Sequence, residues 1–236
     1  MLELDHLIVA AAELDSGTRW LEERLGVPLA PGGKHAAMGT HNRLLRLGEM
    51  LYLEVIAIDP GAPTPSRPRW FGLDVPTMQA RLAESPQLIH WVARSNDIDV
   101  DSSHAGFAAD EILSMVRGDY RWRITVPRDG HLAGDGLLPS LIQWDVPRHP
   151  AQTLPDSGCR LMKLEAYTTR AAELHTALAT LDLSAAIDIQ RIQAGEAAEW
   201  LAYIKTPRGL VELSAPISVE AKKRPHQVGA KGEYFC

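Results

Sequence analysis

The chain has 236 residues, 45% hydrophobic and 23% charged, a length and balance that suit one large globular domain or two small ones and exclude collagenous, mucin-like and wholly disordered chains. Asp and Glu outnumber Lys and Arg by 30 to 24, a net charge of −6, which excludes a surface that holds nucleic acid through bulk positive charge. Two distant cysteines, Cys159 and Cys236, rule out a disulfide framework; with charges at Glu3 and Asp5 where a signal peptide needs an apolar core, and no apolar run near the ~18 residues of a membrane span, a cytoplasmic protein without a membrane partner is expected.

Residues 4–10 read as a strand, and Asp15-Ser16-Gly17 as an N-cap region before a helical stripe of Trp20, Leu21 and Leu25 that Gly26 stops. Residues 37–47 turn at Gly48-Glu49 into residues 50–58, apolar at almost every position except Glu54. Residues 60–69, rich in Pro and charge, form a linker. A second strand-opening run, residues 88–93, carries His90 where the first carries His6; Asn96-Asp97-Ile98-Asp99 starts a helix that residues 102–106 weaken, and strands follow at 112–116, 120–126 and 138–146. After a linker at 149–158 comes a third opening run at 161–166, a helix capped by Thr169 with Leu174, Leu178 and Leu181 on one stripe, and strands at 187–192, 201–205 and 210–214.

The order βαβββ thus recurs. It predicts an α+β fold built from repeated βαβββ modules. Two modules, at about 1–60 and 87–147, make a domain over 1–148; a third, partial module occupies 159–216, and 217–236 is a tail. Six of the few aromatic residues are Trp, which points to pockets and packing corners.

Glu54 lies inside a strand that otherwise reads as buried, so its carboxylate needs a partner. Aligning the units sets His6, His90 and Lys163 at one equivalent place, and Glu54, Gln143 and Glu212 at another, each pair separated by nearly the same length of chain. If the first and last strands of each unit pair, His6, Glu54, His90 and Gln143 converge. Imidazole and carboxylate suit Zn, Ni, Fe or Mn, with the Gln143 carbonyl as a weaker fourth ligand or only a cavity lining. Glu212 opposite Lys163 reads as an ion pair in place of that site. Glu54 is the catalytic candidate. His41 and Asn42 read equally as substrate contacts or as a turn; Trp70 either covers the mouth of the cup or pins the linker; Asp145 shares the face of Gln143 by strand alternation. The remaining histidines are read as surface or loop residues. Phosphate-binding loops, dinucleotide fingerprints, zinc-protease helices and nucleophile elbows are absent from the sequence.

The chain resembles the vicinal oxygen chelate superfamily, and within it the glyoxalase-like domain group. The match is carried by Leu4-Asp5-His6-Leu7-Ile8-Val9, Gly39-Thr40-His41-Asn42, Tyr52-Leu53-Glu54-Val55-Ile56, Trp70-Phe71-Gly72-Leu73-Asp74, and Leu138-Pro139 leading into Ile142-Gln143-Trp144-Asp145. The resemblance implies that the modules form a cupped mixed β-sheet with helices on its convex side and metal ligands on the first and fourth strands of each module, usually two His or Gln and two Glu, with Gln143 here in place of one Glu. It implies either a metal-dependent lyase or isomerase acting on a substrate with vicinal oxygens, an Fe(II) dioxygenase, or a metal-free protein that sequesters a small molecule. An unpaired third module suggests a homodimer.

Overall fold

The computed structural model describes residues 2–104 and 111–217, without the side chain of His104. Of the expected tail at 217–236, residues 218–236, with Cys236 and His226, lie outside the described residues, as does the end of the weak helical stretch at 105–106. The elements are β1 (Glu3–Ala10), α1 (Leu14–Leu25), β2 (Ala30–His35), β3 (Thr40–Arg46), β4 (Tyr52–Ile58), α2 (Pro76–Glu84), β5 (Gln87–Arg94), α3 (Ile98–His104), β6 (Glu111–Arg117), β7 (Tyr120–Val126), β8 (Ser140–Trp144), β9 (Arg160–Thr168), α4 (Ala171–Thr180), β10 (Asp188–Arg191), β11 (Glu199–Thr206) and β12 (Gly209–Pro216). Helix α2 is an addition to the sequence reading. Its first turn is Pro76, and it packs through Met78 and Leu82.

In the first two units the opening and closing strands pair in parallel, β1 with β4 and β5 with β8. The units join where β1 meets β5 antiparallel, giving one curled mixed sheet of eight strands in the order β2-β3-β4-β1-β5-β8-β7-β6. Strand alternation then separates two faces. Leu7, Val9, Leu53, Val55, Trp91 and Ala93 turn to the convex side, where Leu21 and Leu25 of α1 meet them. His6, Tyr52 and Glu54 turn to the hollow side, where Ile8 and Ile56 pack. Helix α1 lies so close to the sheet that a Cβ on Gly17 would come 2.6 Å from Ala11 Cβ and 2.9 Å from Val55 Cγ1. Gly17 is therefore a point of close approach rather than part of a cap. The capping position is Glu13, and Gly26 ends the helix in the left-handed region, as expected.

The third unit repeats the order of elements but not the sheet. Its strands run β10-β9-β11-β12, so β11 separates the opening strand from the closing one. The alignment of Lys163 with His6 and of Glu212 with Glu54 does not hold for this reason. Lys163 bonds instead with Glu165 and, at 2.8 Å, with Asp188 on the parallel neighbour β10. Nor does the unit lack a companion. Leu164, Ala166, Trp200 and Ala202 share one core with the convex face of the large sheet, and the Leu161 N–H donates to the Leu47 carbonyl at 3.3 Å. The module expected to stand unpaired thus packs against the large sheet of its own chain.

A shared core predicts shared unfolding. Trp200→Ala, at a fully buried position, should cost about 3–5 kcal/mol and move the transitions of both sheets together in urea. Two separate transitions, seen by circular dichroism and by tryptophan fluorescence, would show independent units instead.

Candidate functional site

The register of β1 against β5 shifts between Leu4 and His6, a bulge that lets two consecutive side chains meet. Asp5 Oδ1 accepts from His6 Nδ1 at 2.6 Å, and Oδ2 accepts from Trp144 Nε1 and His149 Nε2, both at 3.0 Å. Burial pushes the Asp5 carboxyl up, but the hydrogen bonds and charges of His149 and His6 outweigh it and hold the group well below the usual carboxylate range. Asp5 is thus an ion without access to water. Its bond sets the proton of His6 on Nδ1 and leaves the Nε2 lone pair facing the hollow.

Glu54 stands across from that lone pair. Its Oε1 accepts from Asn42 Nδ2 at 2.6 Å, while Oε2 lies 3.6 Å from His6 Nε2. The Asn42 amide is itself held, since its Oδ1 accepts from the Gly33 N–H at 2.7 Å. His35 Nε2 accepts from Arg117 at 3.3 Å, which leaves Nδ1 to donate to Thr40 Oγ1 at 3.0 Å. Burial brings the His35 value down to about 4 against the pull of Glu54, so the ring is neutral. The Arg117 guanidinium, 5.8 Å from the Trp122 ring centre, has no carboxylate partner among the described residues. These polar groups and the rings of Trp70, Trp122 and Trp144 line one hollow that is partly open to solvent. Tyr52 stacks on His6 at 4.5 Å, and burial raises its phenol well above the ordinary value.

The structure brings His6, Asn42, Glu54 and Trp70 together. It does not bring the others. His90 lines a separate cavity; its Nδ1 donates to the Gly136 carbonyl at 3.1 Å and its Nε2 accepts from the Ser140 N–H at 3.1 Å. Because Ile142 faces the hollow, Gln143 must face away, where its Oε1 accepts from the Ile98 N–H at the start of α3, 2.9 Å away. Asp145, close to Gln143 Nε2 at 3.4 Å and Arg123 at 3.9 Å, is on that side too. His41 alternates with the inward Asn42 and is half-buried on the other face. Conversely, His35 and His149, read as surface or loop residues, are almost fully buried. Asp5 and Arg117 were also missed: alternation hides a bulge, and Arg117 belongs to a hairpin that meets the site only when the sheet curls.

The expected four-ligand metal site therefore does not assemble. His6 Nε2 and Glu54 Oε2 lie close enough to share an ion, but His90 and Gln143 are engaged elsewhere, and His35, 4.0 Å from Glu54 Oε1, uses both nitrogens. Among the described residues no three His, Cys, Asp or Glu side chains converge to hold a metal. The described residues do not fit that ion.

Comparison with known families is decisive about kinship. A family model described as a glyoxalase-like domain matches residues 4–181. The chain belongs to the glyoxalase-like domain family. The curled mixed sheet and the resemblance to vicinal oxygen chelate proteins agree with this membership. No curated protein matches the chain in sequence. Among solved structures, a hypothetical protein from Staphylococcus aureus is similar in fold at 15% identity, over 91% of this chain and 85% of that one, with a TM-score of 0.52. Methylmalonyl-CoA epimerase from Streptomyces coelicolor, in complex with 2-nitronate-propionyl-CoA, is similar at 16% identity over 62% and 97% of the two chains, TM-score 0.40. The enzyme of the same name from Mycobacterium tuberculosis is similar at 18% identity over 60% and 85%, TM-score 0.35.

Burial lowers His35 and His90 to about 4 from an ordinary 6.5. The unfolded chain takes up both protons first, so this contribution is complete above pH 6.5 and is lost as pH falls toward 4, by about 3 kcal/mol for each histidine. The thermal midpoint should fall over that interval, and His90→Gln should make the fall shallower. An equally steep fall in the variant would contradict the assignment.

Proposed function

We propose that this glyoxalase-like protein is a small-molecule enzyme that moves a proton next to an oxygen-bearing carbon, an isomerase- or lyase-type reaction with Glu54 as the base. The observation that carries the reading is the asymmetry of Glu54: one oxygen is tied to Asn42, and the other is left facing the hollow beside His6 Nε2. A carboxylate so held is oriented for proton removal.

A substrate carbonyl or carboxylate oxygen would sit on the Arg117 guanidinium, whose charge no described carboxylate neutralises, and its neighbouring C–H would face Glu54 Oε2. As Glu54 takes the proton, negative charge grows on the substrate oxygen and Arg117 stabilises it in a site walled by indole rings, where water does not screen the attraction. His6 is the second proton carrier. Its Nε2 can take up a proton because the buried Asp5 anion stabilises the imidazolium that results. Return of the proton to the adjacent carbon, with His6 carrying the hydroxyl proton of the enediolate from one oxygen to the other, completes an isomerisation; delivery of the proton to a leaving oxygen completes an elimination. This reading assigns His6 and Glu54 to proton transfer rather than to ion ligation. The partner is a small molecule.

Exchange of substrate hydrogen in D₂O tests it directly. Pyruvate, 2-oxobutanoate, dihydroxyacetone and glyceraldehyde, followed by proton NMR, should include at least one compound whose C–H signal decays with protein present, and Glu54→Gln should slow that decay about 10²- to 10⁴-fold. Loss of the whole effect is the opposite outcome: a panel without exchange, or a Gln variant as fast as the parent, overturns the reading. Stoichiometric divalent metal in protein purified without chelator, absent from both His6→Ala and Glu54→Gln, would return the pair to metal ligation. The three tryptophans favour a second reading as a sequestering protein, and binding of a panel member without exchange would select it.

A further inference from the structure

A second hollow, partly open to solvent, is also lined by Trp70 and Phe71. Its wall is the chemical opposite of the first. Val126, Leu132, Leu138 and Leu141 supply apolar surface, while Ser102, whose hydroxyl donates to the Asp99 carbonyl, and the exposed imidazole of His131 beside Asp129 are its further polar members. His90 uses both ring nitrogens on Gly136 and Ser140, and Thr125 Oγ1 accepts from the Leu141 N–H at 2.8 Å. Apart from His131 and the Trp70 indole, the described wall closes its hydrogen bonds within the protein, so most of it offers little to a polar ligand and gains by removing hydrocarbon from water.

The two cavities share a partition. Trp70 and Phe71 line both, and Phe71 adopts φ 60° and ψ 23°, a left-handed conformation that is a true outlier for a bulky residue. That conformation sets its ring between Trp70, stacked at 5.0 Å, and His90, at 5.4 Å. The Trp70 indole N–H is buried and has no acceptor among the described residues. The junction therefore carries an unused donor, suited to a ligand oxygen.

We infer that the second cavity is a subsite for the apolar substituent of the ligand whose oxygenated head occupies the His6–Glu54–Arg117 hollow. The substrate class is then an oxygen-bearing carbonyl compound or acid with an aliphatic or aromatic tail. The position of the head rests on the proposed function; the subsite itself rests on the wall and the partition.

Straight-chain carboxylates from butanoate to decanoate are the probes, with affinity read by titration calorimetry on the parent protein and on Glu54→Gln. Affinity should rise about three- to fourfold for each added methylene, the factor for moving CH₂ out of water, and should level once the cavity is full. Ala133→Phe, which fills the cavity from its own wall, should abolish the rise and leave butanoate binding unchanged. Leu132→Trp repeats the test from a neighbouring position, with thermal midpoints confirming that both variants fold. Affinity independent of chain length in the parent, or the same rise in both filled variants, overturns the subsite. A rise that persists in Glu54→Gln while the parent shows no hydrogen exchange keeps the subsite and removes the proton-transfer reading; exchange without any rise does the reverse.

Discussion

The site is organised by one ion that water cannot reach. Asp5 is fully buried, and a carboxylate in that position costs several kcal/mol unless donors surround it. Its donors come from separate parts of the chain: His6 beside it, Trp144 at the end of β8, and His149 in the segment that follows. The anion thus fastens the first unit to the second. It also decides the tautomer of His6, and with it which nitrogen faces Glu54.

From that constraint the rest of the hollow follows in order. His6 presents a lone pair, Glu54 presents an oxygen, and Asn42 keeps the second oxygen from competing. His35 stays neutral through burial and accepts from Arg117, so the guanidinium keeps its charge within the site and has no described carboxylate to neutralise it. His35 thus stands between the two charges, bonded to Arg117 and 4.0 Å from Glu54 Oε1, in place of a direct ion pair. Such an arrangement holds its polarity ready for a ligand, which is what electrostatic preorganisation requires. The apolar cavity behind Phe71 lies outside this field.

The third unit contributes no group to the hollow. It closes the convex face, where Trp200 and Leu164 meet the same core as Leu7 and Trp91. This supports the floor of the site from behind, since alternate residues of β1 and β4 belong to the hollow and to that core. A change in the rear packing is felt at His6 and Glu54 through the strands they share.

Much of the fold was legible because strand alternation, helical stripes and turn residues are local patterns. The βαβββ order follows from them, whereas the pairing of first and last strands, and with it the placing of His6 and Glu54 on one face, was a condition that only the family resemblance implied. Three further features do not follow from local patterns. A single bulge at Asp5 reverses alternation; the strand order of the third unit depends on which edge β10 joins; and the orientation of Gln143 follows from the face that Ile142 takes when β8 is seated. Sequence by itself determined which side chains were expensive to bury and so had to find partners. Only tertiary structure decided who those partners are: His90 bonds to Gly136 and Ser140 instead of meeting His6, while His35, His149 and Arg117 enter from segments with no local signature. The physical reason is that hydrogen-bond partners are chosen by distance in the folded chain, and curling one sheet brings together residues that no spacing along the sequence relates.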